Sequence, residues 1–355
     1  MTEKIDLYSM LPEELEAYFI SLGEPKFRAK QVFPRLLVGT PIEELTNLPK
    51  ALRERLLSET VDTIPRVEEK LISKIDGTVK YLFKLEDGSM IESVVMRYKH
   101  GNTICISSQV GCYMGCKFCA STIGGKLRDL RPSELLGQVI AATRDLGERI
   151  SNIVMMGIGE PLDNFDNVVR FLKLVNHEDG LNIGYRHISL STCGVVPGIY
   201  RLAEVDLPIT LSISLHASND EKRTAIMPVN KKWNIEALLT ACVDYYKTTG
   251  RRISFEYTLI SGKNDSEEDA RELALLLKNA FVGTGAPIHV NIIRVNEVKE
   301  TGFKKGTPES VNAFAKTLEK YGAVATVRRK LGADISAACG QLRRDNMAKR
   351  NENAN

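Results

Sequence analysis

The chain has 355 residues, of which 43% are hydrophobic and 26% are charged, which is the composition of an ordinary globular protein. Its formal net charge of +3 is too small to indicate a partner by itself. The first ten residues lack the basic and apolar regions of a signal peptide, no apolar run approaches a membrane span, and the seven cysteines do not form a secreted disulfide framework in a chain of this length. The length allows two domains, or one large barrel with an appendage.

Residues 1–64 are predicted to form an N-terminal helical domain. Pro12 begins a helix that stops at Gly23, and a second helix covers Phe27–Leu37 and ends near Gly39. The second helix carries four basic residues: Lys26, Arg28, Lys30 and Arg35. These charges form either a solvated helix face or the phosphate-contacting face of a small RNA-binding domain, and both interpretations stay open.

From residue 65 the hydrophobic period changes from helical to two, which predicts β-strands. Turn signals at Asp76-Gly77 and Asp87-Gly88 supply the positive φ angles of tight hairpins. The strand-like runs that they separate are Val67–Lys74, Thr78–Leu85 and Ser89–Met96. We therefore predict a β-meander over residues 65–102 that bridges the helical domain and the domain that follows.

Residues 103–342 alternate between strand-like and helical segments. The strand-like runs are Thr103–Ser108, Asn152–Met156, His187–Thr192, Ile209–His216, Arg252–Ile260 and Ile288–Arg294. Helical patterns, such as Pro132–Leu146, separate them. This alternation is typical of parallel strands with right-handed crossovers, so we predict an α/β fold, a partial (β/α)6 barrel whose chemistry lies at the carboxyl ends of the strands. The polar tail 343–355 is expected to be disordered.

Three cysteines, Cys112, Cys116 and Cys119, follow the first of these strands, with three residues in the first gap and two in the second. Iron–sulfur clusters normally take four cysteine ligands, so three cysteines leave one iron open to a small molecule with an amine and a carboxylate. This arrangement can hold and reductively cleave S-adenosylmethionine (SAM). The spacing resembles the radical-SAM signature, and it predicts one 4Fe–4S cluster and SAM as cofactors.

The alternative for these cysteines is a zinc site, which prefers paired Cys-x-x-Cys or Cys/His knuckles and four ligands. No second knuckle and no histidine pair follow at zinc-finger spacing, so the cluster is favoured. Because such a cluster is sensitive to oxygen, we expect the protein in a reducing cytoplasm.

Polar residues also stand at the ends of other predicted strands. The second strand runs into Gly157–Leu162, where glycines allow a ligand to approach the backbone and Glu160 offers an anion for an ammonium group. The third ends in Ser191–Gly194, the fourth in Ser214–Ala217, and the sixth near Asn296. One such residue is usually a turn-former, but several at one barrel mouth favour a cofactor site.

Two further cysteines stand apart from the cluster motif. Cys105 lies one strand-length before it, and Cys339 lies near the carboxyl end, in the small-residue segment Asp334–Leu342. Small neighbours suit a cysteine that must enter a pocket, although a generic buried cysteine is an equal alternative for Cys339.

Taken together, these motifs resemble the RlmN/Cfr family of radical-SAM RNA methyltransferases, and the RlmN branch most closely. The likeness covers nearly the whole chain. Besides the helical start, its long motifs are Cys105–Cys112, Gly159–Leu162, Asn176–Gly184, Ser191–Gly194, Ser214–Ala217 and Ala337–Leu342. One small departure is Ala120-Ser121 after the last cluster cysteine, where the family more often has Ala-Thr or Ser-Thr.

The resemblance implies a role for each matching residue. Cys112, Cys116 and Cys119 would hold the cluster. Cys339 would become methylated, Cys105 would resolve the intermediate, and Glu92 would accept a proton. The sequence alone says little about Glu92, and a strand glutamate is normally solvated. The residues that would contact SAM are Gly159, Glu160, Ser191, Ser214, Leu215, His216 and Asn296.

The same resemblance implies the reaction. The enzyme would methylate carbon 2 of an adenine in the peptidyl-transferase centre of 23S rRNA, and of the adenine 3′ of the anticodon in tRNA, consuming two SAM per methyl group. It would work as a monomer with a reducing system such as flavodoxin. Two alternatives remain: methylation of carbon 8 of the same rRNA adenine, as in the Cfr branch, and a non-catalytic, zinc-stabilised RNA-binding protein.

Overall fold

Three short helices come first in the structure, a computed structural model that describes residues 4–296, 302–335 and 342–343. They are α1 (Pro12–Ser21), α2 (Phe27–Leu37) and α3 (Lys50–Glu59), with single 3-10 turns at Leu7–Ser9 and Ile42–Glu44. α1 and α2 lie where the sequence predicts them. Proline at the first position of α1 loses no hydrogen bond, because the first amides of a helix have no acceptor within it.

One ten-stranded sheet follows these helices. Its first three strands, β1 (Arg66–Ile72), β2 (Val79–Lys84) and β3 (Met90–Tyr98), form the predicted antiparallel meander. β3 also pairs with β4 (Gly101–Cys105), which in turn pairs parallel to the next strand of the sheet. The meander and the parallel strands are therefore hydrogen-bonded into one continuous sheet.

Strands and helices alternate through the rest of the chain. The remaining strands are β5 (Gln109–Gly111), β6 (Lys126–Asp129), β7 (Ile150–Met155), β8 (Ile188–Thr192), β9 (Thr210–Ser214), β10 (Ile253–Leu259), β11 (His289–Arg294) and β12 (Val324–Val327). The remaining helices are α4 (Pro132–Leu146), α5 (Phe165–Asn176), α6 (Val196–Val205), α7 (Asp220–Ile226), α8 (Ile235–Thr249), α9 (Glu267–Ala280) and α10 (Pro308–Lys320). β5 and β6 pair with each other, outside the main sheet.

The predicted α/β partial barrel is confirmed. The six predicted strands are β4 and β7–β11, and they lie side by side in chain order, all parallel. The sheet then continues with β12, a seventh parallel strand that the sequence did not predict. Three of its four residues are exposed, so β12 lacks the buried apolar run that usually marks a parallel strand.

Alternate residues of the parallel strands form two different surfaces. On the outer face, buried apolar side chains such as Ile153 and Ile188 pack under the helices. The register places Cys105, Val154 and Ser189 side by side on the inner face. Further serine, threonine, glutamate and asparagine side chains of that face line a cavity of about 400 Å³. Because the barrel is only partly closed, its interior is a polar cavity and not a packed apolar core.

Some predictions concern parts of the chain that the structure does not describe. Cys339 and the tail after Arg343 lie outside the described residues, and the division at residues 64 and 102 stays a prediction. Of the helices that the structure describes, none is long and apolar enough to span a bilayer.

Candidate active site

The loop that carries the three cysteines is anchored at several points. It leaves β5 at Gly111, whose φ of +84° favours glycine. A Cβ atom at this position would lie 1.9 Å from the carbonyl oxygen of Gly125, just before β6. The amide of Cys112 donates to the carbonyl of Gly125 at 3.1 Å. The amide of Lys117 donates to the carbonyl of Ile226, the last residue of α7, at 2.9 Å. The loop is therefore held between the β5–β6 ribbon and α7.

All three cysteines line one cavity of about 290 Å³ at the carboxyl ends of the parallel strands. Burial raises the pKa of Cys112 to about 12, and it raises the pKa of Cys116 still further; the neighbouring cysteine thiols add to both shifts. Among the described side chains, no three potential ligands converge on a point as one metal ion would require. A cubane cluster does not require this, because each of its cysteines binds a different iron atom. Three thiols around one cavity therefore fit a 4Fe–4S cluster.

Gly159 and Glu160 form the wall next to the cysteines. Gly159 has a φ of +109°, and a Cβ there would lie 2.7 Å from Gln109, so the backbone approaches the β5 side closely. The Glu160 carboxylate is buried and accepts hydrogen bonds from the amides of Cys193 at 2.7 Å and Leu162 at 3.0 Å. Burial raises its pKa, against the effect of these bonds. An ammonium group in the cavity would favour the ionised carboxylate.

Ser191, Ser214 and His216 bring the next two strand ends into the same cavity. The hydroxyl oxygens of the two serines lie 3.4 Å apart. His216 adopts a φ of +59°, and its Nδ1 accepts a hydrogen bond from the amide of Thr258 at 3.0 Å. Burial, with a smaller effect of Arg223, lowers the pKa of His216 to about 3, so the imidazole is neutral. The site therefore offers hydroxyl groups and a neutral ring to a ligand.

Of the predicted SAM contacts, Leu215 does not line this cavity. Its side chain is fully buried in the main apolar core, its amide donates to the carbonyl of Glu256, and its carbonyl accepts from Arg223. Asn296, in contrast, is exposed and lines the cavity as predicted. The structure thus brings together the cluster cysteines and six of the seven predicted SAM contacts.

The expectation of a solvated Glu92 is wrong. Its carboxylate is fully buried, 3.2 Å from the ammonium of Lys80, which is equally buried. The other carboxylate oxygen accepts a hydrogen bond from the amide of Arg343 at 2.6 Å. Glu92 is buried because β3 lies inside the sheet, with strands on both sides, and its side chain is on the inner face.

Cys105 lies near Glu92 on the same face. It pairs with Val94 of β3, and residues two apart on a strand share a face, so Glu92 is a diagonal neighbour of Cys105. Met156 packs against the apolar group that contains Cys105, and it also lines the cavity of the cluster cysteines. Cys105 therefore stands on the barrel wall one side chain away from that cavity.

Two charged residues of the site were missed from the sequence. Glu256 of β10 lines the cavity, and its buried carboxylate accepts a hydrogen bond from Asn291 at 2.7 Å. Arg328, just after β12, lines the cavity as well. A glutamate within the otherwise uncharged run Ile253–Leu259 was a usable signal for the first, because charged residues are rare inside buried parallel strands. Arg328 had no such signal because β12 itself was not predicted.

Comparisons with known proteins agree with this geometry. A model of the radical SAM superfamily matches residues 106–274, and a model of the ribosomal RNA large subunit methyltransferase N-terminal domain matches residues 5–61. A "probable dual-specificity RNA methyltransferase RlmN" of Alkaliphilus oremlandii is 55% identical over 97% of this chain and 99% of its own length. A protein of the same description from Clostridium perfringens is 53% identical over 94% of each chain.

A solved structure is similar over almost the same span. The crystal structure of a radical SAM methyltransferase from Sphaerobacter thermophilus has a TM-score of 0.89 and 40% sequence identity, and the match covers 95% of this chain and 98% of the other. The matched length includes both the N-terminal helices and the partial barrel.

Proposed function

Because the chain belongs to the RlmN family of radical SAM RNA methyltransferases, we propose that it methylates carbon 2 of an adenine in 23S rRNA and of the adenine 3′ of the anticodon in tRNA. Two RNA substrates are consistent with the dual specificity in the names of the relatives. The observation that carries the proposal is the position of Cys105 on the inner barrel wall, beside Glu92 and one side chain from the cofactor cavity.

Enzymes of this class use a 4Fe–4S cluster and SAM, and the residues for both are present in the cavity. Cys112, Cys116 and Cys119 would hold the cluster, and Glu160 would bind the SAM ammonium group. The other groups that would contact SAM are Gly159, Ser191, Ser214, His216 and Asn296. When bound, cluster and SAM supply the radical chemistry that an electron-poor ring carbon requires, and the protein supplies placement and exclusion of water.

The chain's own residues would carry the methyl group. Cys339, as a thiolate, takes a methyl group from one SAM by displacement. Reductive cleavage of a second SAM would supply the radical that removes one hydrogen from this methyl group, so that its carbon can bond to the adenine ring. Glu92 would then accept the ring proton, and the Cys105 thiolate would attack the sulfur of Cys339. The freed carbon takes up a proton, the electron supplied for SAM cleavage is released again, and the products are the methylated base and a disulfide. An external reductant, such as a thiol, reopens the disulfide. A flavodoxin-like partner supplies the electron for SAM cleavage. We expect the enzyme to act as a monomer.

Two single substitutions test the different roles proposed for Cys339, which carries the methyl group, and Cys105, which releases the product. Cys105→Ala should still form the bond between Cys339 and RNA but lacks the thiol that breaks it. It should therefore accumulate protein covalently bound to RNA, seen as a shifted band on a denaturing gel that nuclease removes. Cys339→Ala should form no adduct, because it has no sulfur to methylate. If Cys105→Ala gives no adduct where the wild type turns over, the two-cysteine mechanism is wrong.

The position of the methyl group needs a separate measurement. Mass spectrometry of nucleosides from treated 23S rRNA and tRNA, with synthetic 2-methyladenosine and 8-methyladenosine as standards, should detect only the 2-methyl product in both RNAs. An 8-methyl product would instead indicate the Cfr reaction, and an unmodified tRNA would remove the second substrate.

A further inference from the structure

Arg223 is a buried arginine that the proposed reaction does not use. It lies on α7, directly after the β9 strand end that carries Ser214 and His216. Its side chain is among the largest fully buried ones of the protein, with none of its surface exposed to solvent. A buried guanidinium keeps its positive charge in nearly all proteins, so this position calls for a compensating negative charge.

The hydrogen bonds of Arg223 do not supply that charge. Nη2 donates to the carbonyl of Cys193 at 2.7 Å and to that of Ser214 at 3.3 Å. Nε donates to the carbonyl of Leu215 at 3.1 Å, and Nη1 to the side-chain oxygen of Asn230 at 2.8 Å. All four acceptors are uncharged, and in the described part of the chain the guanidinium makes no ion pair with a carboxylate.

The acid that acts on Arg223 electrostatically is Asp220, and it is poorly placed to neutralise the charge. Asp220 is exposed to solvent, where its field is screened, and its carboxylate accepts hydrogen bonds from the side chain of Asn230 and from the amide of Ile235. Asn230 thus stands between the arginine and the acid. Consistent with an uncompensated charge, burial lowers the pKa of Arg223.

The other candidates for a counter-charge are sulfur atoms of the cluster site. Arg223 interacts electrostatically with Cys116 and with Cys193, and these two cysteines pack in one apolar group together with Met227, which follows α7. The cluster loop is also bonded directly to α7 through the amide of Lys117 and the carbonyl of Ile226. The guanidinium is thus buried immediately behind the loop that holds the cluster.

We propose that the 4Fe–4S cluster is the counter-ion of Arg223, and that Arg223 raises the reduction potential of that cluster. A cubane cluster with three thiolate ligands carries a net negative charge, and this charge grows by one unit when the cluster is reduced. A buried cation stabilises the reduced form more than the oxidised form, because net charge and burial set the potential of such clusters. The inference requires only that the three cysteines hold the cluster, and it is independent of which RNA carbon is methylated.

Arg223 has a second, positioning effect on the same site. The guanidinium of Arg223 donates to the carbonyl of Cys193, and the amide of Cys193 donates to the Glu160 carboxylate. Arg223 thus helps to hold the residue that orients Glu160. Loss of the guanidinium should therefore weaken SAM binding as well as shift the potential. Substitution by lysine keeps the charge but not the planar set of donors, so it separates the two effects.

Three variants of the full chain, reconstituted anaerobically with iron and sulfide, test the proposal. Arg223→Gln removes the charge, Arg223→Lys retains it, and Arg271→Gln removes a charge from the exposed arginine on α9 that pairs with Glu268. Redox titration followed by electron paramagnetic resonance should give a more negative potential for Arg223→Gln than for the wild type. Arg223→Lys should lie near the wild type in potential, with weaker SAM binding, and Arg271→Gln should match the wild type in both.

A fourth variant covers the case in which Arg223→Gln does not fold. Asn230→Asp, combined with Asp220→Asn so that the two side chains still share a hydrogen bond, places a carboxylate 2.8 Å from Nη1 with almost no change of shape, and should also make the potential more negative. Folded protein that loses its cluster both in Arg223→Gln and in this double variant, but keeps it in Arg223→Lys, supports the proposal. A wild-type potential in fully loaded Arg223→Gln or in the fully loaded double variant overturns it, and so does equal loss of the cluster in Arg223→Lys. If the potentials shift as expected but the wild type does not methylate RNA, only the proposed reaction is wrong.

Discussion

At the scale of single residues, burial changes the protonation of the polar groups that form the site. His216 is the clearest case, because it is buried and its Nδ1 already accepts the amide hydrogen of Thr258. Protonation would break that bond and place a cation beside the buried Arg223. The buried ring is therefore neutral.

Because the buried ring is neutral, His216 should make the stability of the folded protein sensitive to acid. Its pKa is about 3 in the folded protein and near 6.5 when unfolded, so the unfolded chain binds the proton more readily. Its contribution to stability is complete above pH 6.5 and is lost as the pH falls, by about 2 kcal/mol at pH 5. His216→Gln should lack this loss, as measured by anaerobic urea unfolding at pH 7 and pH 5. The exposed His187, changed to Gln, should keep the wild-type difference; an equal difference in His216→Gln would contradict the assignment.

At the scale of elements, the sequence predicted best where local chemistry determines the boundary. α4 spans the predicted Pro132–Leu146, because proline favours the first turn and Gly147 closes the helix with a φ of +65°. The end of β4 was predicted three residues too late. β4 ends at Cys105, and two residues later the amide of Ser107 donates to the side chain of Gln138, on α4, instead of to a neighbouring strand; this contact joins residues 31 apart. Such long-range contacts leave no mark on local periodicity.

The same contrast holds within the site. Cysteine spacing and strand-end motifs identified the cluster loop and the residues around it, since they lie next to each other in the chain. The burial of Glu92 with Lys80, and the place of Arg223 behind the cluster loop, depend on which strands and helices become neighbours in space. Because charged residues are usually exposed to solvent, nothing in the sequence indicated that these three side chains are buried.

The basic residues of α2 have two interpretations, a solvated helix face and a phosphate-contacting face, and the structure shows how exposed each residue is. Its apolar side, with Val32 and Phe33, is buried, while Lys26, Lys30 and Arg35 are exposed. Arg28 is partly buried and lies 3.5 Å from Glu24. Lys26, Lys30 and Arg35 have no ion pair among the described residues, so contact with phosphates and a merely solvated face both stay open.

Neutralising that surface tests its contact with RNA. If Lys26, Lys30 and Arg35 contact phosphates, changing all three to Gln should weaken RNA binding, and the slope of log affinity against log salt should fall by about 2. Filter binding to a 23S rRNA fragment at several salt concentrations measures both. The exposed Lys278, Lys316 and Lys320 on α9 and α10, changed together, give a control with the same loss of charge. Equal slopes in the two triple variants would return α2 to a merely solvated face.

At the scale of the whole molecule, the carboxyl end of the chain ties the two edges of the sheet together. After β12, at one edge, the amide of Gly332 donates to Asp76 at 2.8 Å. The Asp334 carboxylate accepts hydrogen bonds from the hydroxyl of Ser73 at 2.7 Å and the amide of Lys74 at 2.8 Å, both in the β1–β2 hairpin at the other edge. Arg343 is bonded to Glu92 on β3. The described chain on either side of residues 336–341 is thus attached to the meander.

Because Cys339 lies in the chain between these attached residues, we expect the attachment to affect the proposed step at that cysteine. Asp334→Ala removes the acceptor of two hydrogen bonds, so the carboxyl-terminal segment should open more often, and limited proteolysis there should become roughly fivefold faster. The yield of methylated RNA per SAM cleaved should fall, while iron content and SAM affinity stay at wild-type values, because no cavity residue has changed. Asp62→Ala, which removes an exposed aspartate whose side chain accepts a local hydrogen bond from the amide of Ile64, is the matched control. Wild-type coupling of SAM cleavage to methylation in Asp334→Ala would mean that the meander does not help to position the methylated cysteine.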